Sequence, residues 1–241
     1  MQALLFDVDG TLADTEGAGH LPAFNDAFEA FGLPHRWDEA TYRRLLNAVP
    51  GGRERLHYAL TQAPPPADHG PVDDLAQRLH ATKNRFYAQR LETGCIPPRP
   101  GIERILAEAR SRGVRLAVVT TSARSNVEAL FRGVLPATLR PAFEVCICGE
   151  DVAAKKPDPE AYLQALQVLA LDATACLAVE DSANGLRAAR AAAIPTLITR
   201  NRWTRDEDFS GAAAVIDDLD HGPAGTPLGI DDLIALHGAD R

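Results

Sequence analysis

Beyond Val114 the chain sets short apolar runs between helical stretches, and this rhythm restricts the fold more than any other feature. "VRLAVVT", "FEVCIC", "CLAVE" and "PTLIT" carry very little that needs water. Strands this apolar are buried on both faces. "NVEALFRGVL", "PEAYLQALQVLAL" and "ANGLRAARAAA" lie between them with helical spacing, and "AAVI" closes the series. Strands alternating with helices build a mostly parallel sheet covered on both sides. "GIERILAEARSRG" leads into the series as a helix, with Ile102, Ile105, Leu106 and Ala109 on one face and Gly113 past its end.

One strand stands apart from the rest. Ala3–Phe6 is equally apolar, but a long helical stretch separates it from "VRLAVVT". "LPAFNDAFEAFGL", "DEATYRRLLNAV" (stopped at Pro50-Gly51-Gly52), "RERLHYALTQA" (stopped by the prolines at 64–66) and "PVDDLAQRLHATKNRFYAQRL" offer no strand candidate. The expected fold is α/β: a doubly wound, Rossmann-like parallel-sheet core from residues 1–13 and 92–241, with a small all-helical cap inserted at 14–91. Gly17 and Gly19 loosen the entry into that insertion, and Pro22 marks the first turn of its first helix.

Bulk properties narrow the function classes. A length of 241 residues suits one large domain, or one domain with an insertion. A net charge of −8 argues against general affinity for nucleic acid or anionic membrane, while leaving room for a small anionic substrate beside a local basic cluster. Of Cys95, Cys146, Cys148 and Cys176 none forms a CxxC pair, and "FEVCIC" favours buried thiols over metal ligands. The chain runs from residue 1 into a strand ending in acid, so no signal or transit peptide is expected. No apolar run approaches the ~20 residues of a membrane span. A soluble, cytoplasmic protein is expected. It should be a monomer, since no long apolar surface helix is left without a role.

Ligands of open parallel sheets bind beyond the carboxyl ends of the strands, and polar residues gather there. The first strand ends in Asp7 and Asp9, "VRLAVVT" in Thr120, Thr121 and Ser122, and "CLAVE" in Glu180 and Asp181, while "GEDVAAKKPDPEAY" after "FEVCIC" carries Lys155 and Lys156. Two aspartates one residue apart repel, so something must compensate them. Singly, each segment could be a turn, a bend or a helix cap. Jointly, acids, hydroxyls and an ammonium at four strand exits suit a phosphate and a hard cation such as Mg2+.

"FDVDGTLADT", "VVTTS", "KKPDPEAY" and "VEDSANG" resemble, in order, the four motifs of the haloacid dehalogenase-like phosphohydrolases, and the helical insertion is similar to the cap of the phosphoglycolate phosphatase and β-phosphoglucomutase branch. "ADTEGAGHLPAFNDAF", "RWDEATYRRLL", "GGRERL" and "TRDEDFSGA" look like CbbY-type proteins. The resemblance implies a Mg2+-dependent phosphatase of a small phosphorylated sugar, with xylulose 1,5-bisphosphate the substrate of photosynthetic members. A phosphomutase or a phosphoglycolate phosphatase shares the motifs, whereas a signalling phosphoacceptor domain needs neither cap nor Asp9.

The same resemblance implies the roles. Asp7 is the nucleophile, and Asp9 the general acid/base, its pKa raised by the neighbouring carboxylate. Mg2+ is held by the Asp7 carboxylate, the Asp9 backbone carbonyl and the Asp181 carboxylate, with Glu180 a further ligand or an acceptor for metal-bound water. Thr120 and the Thr121 amide hold the phosphoryl group. Lys156 balances charge, leaving Lys155 as surface charge. Asp14, Thr15 and Glu16 form the hinge, Glu16 and His20 face substrate, and Arg53 or Arg55 takes an unreacted phosphate, the other pointing to solvent. Ala193 stands where these proteins commonly carry glycine; a left-handed backbone there costs alanine about 1 kcal/mol.

Overall fold

All six expected strands are present in the computed structural model, which describes residues 1–49, 51–94 and 96–239. Pro50, expected to help stop a helix, and Cys95 lie outside the described residues. In chain order the elements are β1 (Ala3–Phe6), α1 (Leu21–Ala30), α2 (Glu39–Ala48), α3 (Gly52–Gln62), α4 (Val72–Glu92), α5 (Ile102–Ser111), β2 (Arg115–Val119), α6 (Arg124–Gly133), β3 (Phe143–Ile147), α7 (Glu160–Leu169), β4 (Cys176–Glu180), α8 (Ala183–Ala191), β5 (Thr196–Thr199), β6 (Ala214–Ile216) and α9 (Ile230–Ala239).

The strands lie in the order β3-β2-β1-β4-β5-β6, every pair parallel. The chain winds outward from β1 to β2 and β3, then returns to place β4 on the other side of β1. That reversal opens a crevice between β1 and β4, where ligands of such sheets sit. Phe6 is level with Val118 and Val179, so the polar residues following β1, β2 and β4 emerge side by side.

Strand alternation divides the core in two. Leu4, Phe6, Leu116, Val118, Leu177 and Val179 pack on the face covered by α5, α6 and α9. Ala3, Leu5, Ala117, Val119 and Ala178 pack on the opposite face, against α7 and α8. The insertion has its own apolar cluster around Phe24, Phe28, Trp37, Tyr42, Leu56 and Leu60. Helix α4 serves both: Leu75 and Leu79 lie in the insertion's cluster, whereas Tyr87 and Leu91 belong to the sheet-side core.

Gly17 and Gly19 fall in a short π-helical turn, Glu16–His20, and Pro22 sits in the first turn of α1. Ala193 is left-handed (φ 58°), as the missing glycine implies. Cys148 and Cys176 are buried and Cys146 half-buried, all three free. Helix α9 was not anticipated; its ten residues follow a stretch rich in glycine and proline, yet Ile230 and Leu233 complete the core. The Asp232 carboxylate accepts the Gly229 N–H at 2.7 Å. Among the described residues no helix is long and apolar enough to cross a membrane.

Candidate active site

The crevice between β1 and β4 collects the acids. Asp7, Glu180 and Asp181 are buried and offer oxygens that all lie within 4.8 Å of one another. The Lys156 ammonium enters this group from the loop after β3, donating to Asp7 Oδ1 at 2.8 Å, Glu180 Oε1 at 2.5 Å and the Val119 carbonyl at 2.6 Å. Tyr162 of α7 also donates to Glu180 Oε1, at 2.6 Å, and the Asp181 N–H approaches Oε2 at 3.3 Å. Both Glu180 oxygens therefore accept protein donors. On Asp181, Oδ2 accepts the Asn201 amide at 2.7 Å.

Gly10 lets β1 leave this crowded place. Its φ of +87° suits glycine, and a Cβ there would run into the Asp181 carboxylate and the Asn201 amide. The turn places Asp9, two residues past Asp7, in the same cleft.

Among the described residues three buried carboxylates share the one ammonium in contact with them, Arg99 acting on Asp181 without an ion pair, so negative charge is in excess when all are ionised. Hard oxygen donors with that charge fit Mg2+. The proton affinities carry the same signature. Burial pushes Asp7 up to about 8 although Lys156 pulls it down, and burial together with Asp7 and Glu180 drives Asp181 well above the usual carboxylate range. Burial works against the charged Lys156, but Asp7 and Glu180 outweigh it and push the ammonium's pKa up.

This predicts a pH-dependent stability. An unfolded aspartate ionises near its ordinary value of 3.8, whereas folded Asp7 keeps its proton to about 8. Between those limits the folded state binds more protons than the unfolded one, so the Asp7 contribution falls as pH rises. In chelator, Asp7→Asn should unfold at higher urea than wild type, by a margin that widens towards pH 8. The slope is at most ~1.4 kcal/mol per pH unit. Saturating Mg2+ should stabilise wild type and not the variant. A margin that shrinks with pH would contradict the assignment.

Asp9 corrects an expectation. Its carboxyl lies well below the usual range rather than above it. Burial opposes this, but His20, Ser122 and Thr15 outweigh burial. On Oδ1, Thr15 Oγ1 donates at 2.6 Å, His20 Nε2 lies at 2.9 Å and the Tyr87 hydroxyl at 3.3 Å, while Ser122 donates to Oδ2. Four donors stabilise the anion more than a neighbouring carboxylate destabilises it. The His20 ring stacks on Tyr87 at 4.1 Å, and Lys83 Nζ meets its Nδ1 at 2.7 Å. A lysine donor at Nδ1 assigns the neutral ring's proton to Nε2, facing Asp9. Burial lowers Lys83 to about 7, against the pull of Asp9 and Glu16.

The insertion closes the cleft, which measures roughly 630 Å³. Thr120 is buried at the end of β2 with its Oγ1 accepting the Ser122 N–H at 3.1 Å, and Thr121, partly exposed, follows it into the cleft. Glu16 is buried and accepts the Tyr42 hydroxyl, which in turn accepts Arg55 Nη1 at 3.2 Å. Arg55 is 6% exposed, with no hydrogen-bond partner on Nε among the described residues, whereas the Arg53 side chain is 59% exposed. Lys155 is not free surface charge. The insertion folds back onto it, and its ammonium donates to Glu54 Oε1 at 2.8 Å beside the cleft. Sequence reasoning missed Lys83, Tyr87, Tyr42 and Asn201 as cleft-side groups. Lys83 and Tyr87 stand four apart on α4, a spacing that marks one helix face, but nothing local distinguishes that face from its polar neighbours.

Comparison with known proteins places this geometry. The family described as haloacid dehalogenase-like hydrolase matches residues 1–193. Protein CbbY, plasmid, of Cupriavidus necator is 48% identical over 220 residues, covering 91% of this chain and 86% of that protein. The crystal structure of CbbY from Rhodobacter sphaeroides in complex with phosphate superposes with a TM-score of 0.87 at 39% identity, covering 97% of this chain and 99% of that one. A mutant of the same protein in complex with xylulose-(1,5)bisphosphate gives 0.84 at 40% identity, covering 95% and 100%.

Proposed function

This chain belongs to the haloacid dehalogenase-like hydrolase family and is a phosphatase acting on sugar phosphates; from that premise we propose that it hydrolyses a sugar bisphosphate, xylulose 1,5-bisphosphate in particular, with Mg2+ and through an aspartyl-phosphate. The observation that carries the reading is the convergence of Asp7, Asp9, Thr120, Lys156 and Asp181 in one cleft beneath a helical insertion.

Asp7 is the nucleophile. Its oxygen bonds to phosphorus as the bond from phosphorus to the sugar oxygen breaks. Asp9 protonates that departing oxygen, then takes a proton from the water that cleaves the aspartyl-phosphate, which frees phosphate and restores Asp7. Asp9 is an anion in the closed cleft, so its first proton must be delivered. It comes through His20: Nε2 passes its proton to Asp9 as Nδ1 takes one from Lys83. A lysine lowered to about 7 gives up a proton far more readily than an exposed one.

Thr120 and the Thr121 amide hold the phosphoryl group, and Lys156 opposes the charge on Asp7 and phosphate. Asp7, Asp181 and the Asp9 carbonyl would hold Mg2+, which would supply the remaining counter-charge. Glu180 acts on Lys156 rather than on the metal, since both its oxygens are engaged.

Residues 14–91 act as the cap, hinged at Asp14–Glu16, with Glu16 and His20 towards the sugar. Arg55, buried at the cleft with its Nε unpartnered among the described residues, takes the unreacted phosphate; Arg53 also borders the cleft but is largely exposed. Arg55→Ala should raise KM for the bisphosphate about 10- to 100-fold, the scale of a lost charged hydrogen bond, with a smaller effect on a monophosphate. Arg53→Ala should stay within about twofold, as exposed charges do. The deciding assay incubates enzyme, Mg2+ and xylulose 1,5-bisphosphate and measures free phosphate. Release dependent on both supports the reading; interconversion of sugar phosphates without release overturns it.

A further inference from the structure

The loop from β5 to β6 spans residues 200–213 at the carboxyl edge of the sheet, and the chemistry above uses little of it. Trp203 in this loop is 2% exposed, and it is buried in the wrong half of the molecule for its place in the chain. It belongs to the insertion's apolar cluster, whose other buried members all come from Leu21 to Leu79. The indole meets Tyr42 edge-on at 5.7 Å and 90°. The Arg202 and Arg43 guanidinium groups lie over its ring at 4.8 and 5.7 Å, Arg43 coming from α2, and Arg202 pairs with Glu39 of α2 at 3.3 Å. A fully buried tryptophan is worth several kcal/mol of packing, so this is a firm anchor rather than a surface contact.

The other end of the loop holds the acids. Asn201 Nδ2 donates to Asp181 Oδ2 at 2.7 Å and to the Gly10 carbonyl at 3.3 Å, while Asn201 Oδ1 accepts the Trp203 N–H at 2.8 Å. The Asn201 N–H donates to Thr204 Oγ1 at 3.3 Å, and Glu207 accepts the Ala183 N–H, at the start of α8, at 2.5 Å. One amide side chain thus binds both the Asp181 carboxylate and the backbone of the residue plugged into the insertion.

We propose that Trp203 is a positioning residue that ties the seating of the helical insertion to the orientation of Asp181, so that the acidic site is fully formed when the insertion is docked. The loop is a strap with Asp181 at one end and the insertion's core at the other. The inference rests on the reading of Asp181 as a Mg2+ ligand.

The test is calorimetric titration of the full chain with Mg2+ in the absence of substrate. Trp203→Ala should weaken Mg2+ binding about tenfold, the scale on which groups behind a metal ligand act. Trp203→Phe, which keeps an aromatic plug, should restore most of it. Leu60→Ala removes packing from the same cluster but leaves the Asn201 link between Trp203 and Asp181 in place, and should stay within about twofold of wild type. Equal weakening by Trp203→Ala and Leu60→Ala, or no weakening by Trp203→Ala, overturns the strap. Should Trp203→Ala not fold, Trp203→Leu is compared with Leu60→Ala by the same criteria. Asp181→Asn separates the two layers of the claim. Wild-type binding that survives Asp181→Asn overturns the reading of the site and the strap together. Binding lost in Asp181→Asn but unchanged in Trp203→Ala overturns the strap alone.

Discussion

Asp7→Asn is expected to abolish steady phosphate release, lowering kcat by roughly 10⁴-fold or more, the scale on which loss of a nucleophile acts. An amide cannot form the aspartyl-phosphate, and no second carboxylate can take its place without moving. Glu180 is pinned by Lys156 and Tyr162, and Asp181 by Asn201. Trivial unfolding is separable from lost chemistry because the two move in opposite directions. The substitution removes a carboxylate that burial disfavours, so in chelator the variant should be more stable than wild type while inactive. Rapid-quench labelling with a phosphorus-labelled substrate should show an acid-stable, base-labile acyl-phosphate in wild type and none in the variant. A variant retaining more than a small percentage of wild-type turnover would remove Asp7 from the reaction.

Asp9→Asn should cost about 10² to 10⁴ in kcat, the usual worth of a positioned acid–base group. Geometry allows the fold to tolerate it. Thr15, His20 and Tyr87 all address Oδ1, where the amide oxygen of asparagine can remain, while Ser122 addresses Oδ2 and its hydroxyl can turn to accept the new N–H. The loss should depend on the leaving group. A sugar alkoxide needs a proton as it departs, whereas a nitrophenolate does not, so an aryl phosphate should still transfer its phosphoryl group to Asp7. Hydrolysis of the acyl-phosphate then stalls for want of a base. The expected trace is a burst of nitrophenol close to one equivalent of enzyme, followed by slow release. Steady turnover at the wild-type rate would show that neither half of the reaction uses Asp9. The His20–Lys83 pair makes a related expectation concrete: its removal should slow sugar phosphates more than aryl phosphates.

Much of this architecture is written in local patterns. Strands β1 and β4 occupy the residues their apolar runs mark, because a strand buried on both faces needs an unbroken apolar sequence. The insertion is legible for a complementary reason: its helices repeat every third and fourth residue and offer no strand. Helix α9 escaped because its boundary is short and glycine-rich, and what keeps it helical is docking onto the core. Among site residues, those immediately after a strand could be found from position alone. Asp7, Thr120 and Asp181 follow strand ends and Glu180 closes β4, and sheet topology brings all such ends to one edge.

The rest depended on contacts between distant segments. Asp9 was expected to hold its proton because the sequence shows its charged neighbour Asp7, whereas Thr15, His20, Tyr87 and Ser122 converge on it from three separate parts of the chain. Arg53 and Arg55 are two residues apart and chemically identical; which is buried is decided by the rotation of α3 against Tyr42. Lys155 reads as surface charge until the insertion brings Glu54 to it. Trp203 is apolar by sequence but buried across a boundary that no periodicity reveals. The amino-acid sequence by itself determined the sheet, the insertion and the kinds of groups at the sheet's edge, because those follow from side-chain periodicity and strand ends. Only the tertiary structure decided the donors around Asp9, which of the two arginines is buried and the burial of Trp203 in the insertion's core. Those depend on field and packing, to which residues far apart in the chain contribute together.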